Sequence, residues 1–90
     1  PPEIGRRYVR KILGGQPALY VHILDKDTGI NLDLTVLKVN GEKGIIEYEP
    51  DKNRILYYKP GMSLKGDLNV ELKLADYAGN YINESFIISN

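Results

Sequence analysis

Three features of this 90-residue chain predict an all-β fold of about seven short strands, a sandwich or small barrel. Leu68, Val70, Leu72 and Leu74 alternate with Asn69, Glu71 and Lys73, the period of two that puts one face in a core and the other in water. Gly, Pro, Asn and Asp punctuate the rest at spacings of roughly 8–12 residues. No stretch carries a helical period over ten or more residues, a length of about three turns.

The opening residues 3–10 read as an edge strand, and residues 1–17 together as linker plus edge strand. The core then occupies 18–90, so the whole chain is one module. Residues 18–24 (ALYVHIL) are nearly all apolar and read as a more buried strand. Residues 34–39 form the next, and Asn40-Gly41 follows at once. That dipeptide supplies the positive φ values of a type I′ hairpin turn. The returning strand is 44–49, Pro50-Asp51-Lys52-Asn53 is a turn, and 54–59 (RILYYK) is a strand that Pro60-Gly61 ends. Gly66-Asp67 opens the alternating strand. Asp76 to Asn80 (DYAGN) is a tight connection into the last strand, 81–89.

Composition narrows the function. An apolar share of 42% suits one ordinary core. Lys+Arg and Asp+Glu balance at 12 each, so no net field draws nucleic acid or an anionic membrane. The densest basic cluster, Arg6, Arg7, Arg10 and Lys11, reads as a solvated face of the first strand. The absence of cysteine removes disulfides, thiolate zinc sites and a cysteine nucleophile. No apolar run approaches the roughly 20 residues of a membrane span, and no signal-peptide pattern is present. Pro1-Pro2 reads as the end of an inter-domain linker.

Catalytic constellations are lacking, and the chain is expected not to be an enzyme. His22 is the sole histidine and falls on the parity opposite Val21 and Ile23, a sheet-covering position. Ser63, Ser85 and Ser89 have no base partner in view. No phosphate-cradling glycine loop leads into a helix. Among seven tyrosines, Tyr48, Tyr57, Tyr58, Tyr77 and Tyr81 form a candidate platform for sugar rings, against the plainer reading that they cover a sheet and pack the core. Tyr57 and Tyr58 must face opposite ways on a strand. Asn83-Glu84-Ser85 fits an N-glycosylation sequon.

From Asp25 onward the chain resembles bacterial and archaeal immunoglobulin-like surface domains. The pieces are Asp25-Lys26-Asp27-Thr28-Gly29-Ile30, Val39-Asn40-Gly41, Ile55-Leu56-Tyr57-Tyr58, Leu64-Lys65-Gly66-Asp67-Leu68 and Asp76-Tyr77-Ala78-Gly79-Asn80. Leu64 and Gly66 stand one residue closer than the family pattern has them. The resemblance implies an immunoglobulin-like sandwich in a secreted or cell-surface protein, extracellular and multidomain. Such modules serve there as spacers, adhesion or docking domains, or ligand-binding accessories. The expected function is a non-catalytic structural or interaction module, with neighbouring domains of the same chain, or a protein or glycan ligand, as partners. The alternative is a carbohydrate-binding accessory domain of a secreted enzyme.

In such a sandwich the loops after the second and sixth strands share one end. Asp25 has the inward parity of Leu19, Val21 and Ile23, and Asp76 that of Leu68 to Leu74. Both carboxylates are therefore expected at the mouth between the sheets, with Asp27 and Asn80 beside them. They either accept backbone N–H groups of their own loops, with Gly29 and Gly79 supplying special backbone angles, or collect as ligands of a Ca²⁺ ion.

Overall fold

The alternating segment becomes an inner strand. In the computed structural model, which describes residues 3–24 and 29–90, Leu68, Val70, Leu72 and Leu74 are buried while Asn69, Glu71 and Lys73 are exposed. Each inward leucine or valine removed from water contributes about 1.5–3 kcal/mol.

Eight strands are present among the described residues: β1 (Ile4–Lys11), β2 (Pro17–Ile23), β3 (Val36–Val39), β4 (Glu42–Lys43), β5 (Ile45–Glu49), β6 (Arg54–Tyr58), β7 (Asp67–Ala75) and β8 (Tyr81–Ser89). They form two four-stranded sheets in the orders β1-β2-β6-β5 and β4-β3-β7-β8. Every strand pair is antiparallel. The order is the immunoglobulin one, with β4 as a short extra strand beside the third. The edge strand expected at the start is β1, terminal in its sheet and paired with β2 apart from one irregularity between Ile4 and Arg7. No helix among the described residues is long and apolar enough to cross a membrane.

The inner faces supply the core. Leu19, Val21 and Ile23 come from β2, Ile55 and Tyr57 from β6, and Leu37 and Val39 from β3, against the four apolar residues of β7. Arg7, on β1, lays its guanidinium over the Phe86 ring of β8 at 4.4 Å, covering the seam where the two sheets' edges meet.

The strand count exceeds the expected seven because one expected strand is two. After the Asn40-Gly41 turn, whose φ angles are 51° and 80°, β4 pairs briefly with β3 (Lys38 with Lys43, Val39 with Glu42). At Gly44 the chain leaves that sheet and continues as β5 alongside β6, in the other. A Cβ at Gly44 would stand 2.7 Å from both the Tyr57 ring and the Tyr58 carbonyl oxygen. The Tyr57 hydroxyl, deep in the core, donates to the Glu42 carbonyl at 2.9 Å. Burial pushes the Tyr57 hydroxyl pKa up, so it keeps that proton.

The crossover also sets the poles. β4 runs on into β5 without reversing, so β2 and β7 end at the same pole. The chain enters β1 at that pole and leaves β8 at the opposite one. The molecule measures 34 × 25 × 21 Å along its principal axes.

Gly44→Ala is expected to destabilise the protein by about 1–3 kcal/mol in urea unfolding although the residue is exposed. Neighbouring Lys43→Ala should stay within about 0.5 kcal/mol. Equal stability of Gly44→Ala and the unaltered chain would contradict the packing described.

Candidate functional site

At the pole where β2 and β7 end, two loops meet. Ile30 bridges Asp76, Tyr77 N–H donates to the Gly29 carbonyl at 3.2 Å, and Asn31 N–H donates to the Ala75 carbonyl at 2.9 Å. Thr35 adds a buried stitch. Its hydroxyl donates to the Asn31 carbonyl at 2.9 Å and accepts from Ala75 N–H at 3.2 Å.

Asp76 points inward as its parity requires and is 2% exposed. Its Oδ1 accepts the backbone N–H groups of Ala78 and Asn80, both at 2.9 Å, and Asn80 Nδ2 donates to its Oδ2 at 3.3 Å. Asp76 N–H in turn donates to the Asn80 carbonyl at 2.9 Å. This is an Asx-type loop closed around its own carboxylate, with Gly79 at a φ of 87°. A side chain at Gly29 would meet the Tyr77 ring at 3.4 Å. Of the four expected calcium ligands, Asp76 and Asn80 are brought together, whereas Asp25 and Asp27 lie outside the described residues.

The second site is a face. The outer surface of the β4-β3-β7-β8 sheet is an ordinary wet surface, carrying Asn69, Glu71, Lys73, Asn83 and Ser85, all exposed. That of the β1-β2-β6-β5 sheet holds a second apolar layer instead. Ala18, Tyr20 and Leu56 are buried on it, with Tyr8, Ile12 and Tyr58 packed against them. Register explains the assembly: Tyr8 lies opposite Tyr20 and Tyr20 opposite Leu56, one row across three strands.

Cations dress this layer. The Tyr8 and Tyr20 rings stack at 5.3 Å with an 18° interplanar angle. The guanidinium groups of Arg6 and Arg10 lie 5.0 and 4.9 Å from the Tyr8 centroid, and that of Arg54 lies 4.5 Å from the Tyr20 centroid. Each such contact contributes about 0.5–1 kcal/mol at an exposed site.

A polar chain crosses the same face. Arg54 Nε donates to Glu49 Oε1 at 2.6 Å, and its Nη1 donates to the Tyr8 hydroxyl oxygen at 3.0 Å. The Tyr8 hydroxyl is 2.9 Å from His22 Nε2. The Tyr8 hydroxyl thus links Arg54 of β6 to His22 of β2. Partial burial, then the charges of Arg6 and Arg54, hold the His22 pKa below its ordinary 6.5. The hydrogen bond to Glu49 raises the Arg54 pKa against the opposing effect of burial.

The expected tyrosine platform does not form as a unit. Tyr57 is in the core and Tyr48 packs against it. Tyr58 joins the outer apolar layer, where its hydroxyl donates to Glu47 at 2.8 Å. Tyr77, within the 76–80 loop, and Tyr81, just after it, are 71% and 57% exposed. The aromatic centre of the face is Tyr8 and Tyr20, which the sequence reading passed over. The available signal was the shared parity of Ala18, Tyr20 and His22 opposite the inward set of β2. Likewise the basic cluster splits, Arg6 and Arg10 onto this face and Arg7 onto Phe86.

Asp76→Ala leaves the N–H groups of Ala78 and Asn80 without that acceptor and is expected to cost about 1–3 kcal/mol. Thermal unfolding should show the same loss in EDTA and in Ca²⁺. A loss confined to Ca²⁺-containing buffer would instead assign the carboxylate to a bound ion.

No protein-family model, curated protein or solved structure matches the chain.

Proposed function

We propose that the chain is a non-catalytic structural or interaction module of a larger secreted or cell-surface protein, serving as a spacer or docking domain between neighbours in the same chain. The observation that carries this reading is the opposite placement of the points where the chain enters β1 and leaves β8. A module so threaded adds its own length between whatever precedes and follows it, and its long axis is 34 Å. The closed Asp76 loop supports the same reading, since it stiffens the pole at which an upstream neighbour would sit. Tyr77, 71% exposed there, offers that neighbour an apolar contact.

The ionic groups of the outer face also suit a structural role. Arg54, Glu49, Tyr8 and His22 hold one another across β1, β2, β5 and β6. Lys59 pairs with Glu42 at 2.7 Å, tying β4 to the exit of β6. These contacts brace neighbouring strands.

A tandem duplicate of the chain tests the spacer. Small-angle scattering should show a maximum dimension longer than that of the single chain by about one module length. A duplicate folded side by side, with no added length, would contradict it.

A further inference from the structure

We propose that the outer face of the first sheet, along the open edge of β1, receives an extended acidic peptide segment as an added strand, its carboxylates meeting Arg6 and Arg10. This deepens the docking half of the function proposed above, by naming the surface and the chemistry of the partner.

Charge supplies the first argument. Arg6 and Arg10 converge on one tyrosine ring, and neither forms an ion pair among the described residues. The acids of this face, Glu47 and Glu49, stand on β5 at the far edge of the sheet and are engaged by Tyr58 and Arg54. Among the described residues the β1 side of this face therefore carries two arginines without an ion-pair partner, in a chain whose net charge is zero. Two guanidinium groups drawn to one ring repel each other, and a carboxylate at either relieves that repulsion. Stacking on the ring also limits their motion, so less freedom is lost when an anion arrives.

The strand edge supplies the second argument. Among the described residues β1 is terminal in its sheet and pairs only with β2. From Arg7 to Lys11 the pairing is regular, so the outer backbone groups form a straight row that an extended chain can join. Alternate side chains of an added strand would lie beside Tyr8 and Arg10 on the arginine face, where opposite charges stabilise cross-strand pairs.

The rings themselves argue for peptide over sugar. Sugar stacking needs a bare aromatic face, but Tyr20 is 6% exposed and Tyr8 lies against Tyr20 and beneath two arginines. Guanidinium edges and a backbone row are what the surface presents.

His22 reports on the site because it is the sole histidine. It contacts Tyr8, and Arg6 on β1 and Arg54 on β6 act on it. A carboxylate brought to Arg6 offsets part of that positive field, so the imidazole should titrate at a higher pH when the site is filled.

The test uses the full chain and a blocked octapeptide alternating Glu and Thr. Expected results are binding that weakens with salt, an upward move of the His22 titration midpoint by NMR, and new amide-exchange protection along β1. Arg6→Gln with Arg10→Gln should weaken binding by about tenfold or more while leaving the fold intact. If that pair unfolds the protein, Arg6→Lys with Arg10→Lys keeps the charge, loses the planar fork and should still weaken binding. No binding, binding indifferent to the substitutions, or binding without β1 protection overturns the proposal. So does capture of polygalacturonate in place of the octapeptide, which would make the face a glycan site. A tandem duplicate that extends while the octapeptide fails to bind overturns this proposal alone and leaves the spacer standing.

Discussion

The fold turns on one contact, the Tyr57 ring lying where a side chain at position 44 would have to be. Because Gly44 has none, the chain can leave the β3 edge and enter the other sheet within a single residue. The Tyr57 hydroxyl holds the departing strand by the Glu42 carbonyl, and the pair together sets the crossing point. If the chain stayed beside β3, the first sheet would lose its fourth strand, and Glu47 and Glu49 would no longer stand beside Leu56 and Arg54. The polar row from Glu49 through Arg54 and Tyr8 to His22 is thus a consequence of where the strand changes layer.

That crossing also separates two kinds of outer surface. The sheet containing β7 keeps the rule that one face packs and the other is solvated. The sheet containing β2 and β6 breaks it, burying Ala18, Tyr20 and Leu56 on the solvent side beneath tyrosines and arginines. Such a surface can be satisfied within the molecule, since the arginine stems and the stacked rings cover the apolar atoms. Among the described residues, Arg6 and Arg10 on the β1 side have no ion-pair partner.

The parts legible in the sequence were those set by short-range rules. The alternation of β7, the Asn40-Gly41 turn and the inward aim of Asp76 each follow from local parity or from φ preferences, and the structure shows all three. The split of the expected 44–49 strand was not legible, because it depends on a ring thirteen residues away in sequence. The outer face was hidden for a related reason. Residues 18–24 read as nearly all apolar, which signals burial without saying what covers the second face. The cover comes from Tyr8, Arg6 and Arg10, residues whose own local pattern suggests only a solvated edge. Cross-strand register brings them together, and register is fixed by tertiary pairing rather than by composition.

The most direct test of this account is a pair of NMR observations on Gly44. Its Hα protons should show nuclear Overhauser contacts to the Tyr57 ring protons. Their shifts should be displaced from random-coil values by the ring and should return toward those values in Tyr57→Leu. Gly44 Hα resonances at random-coil positions, with no contact to Tyr57, would mean that the strand does not cross between the sheets there. The two-layer arrangement built on that crossing would then be wrong.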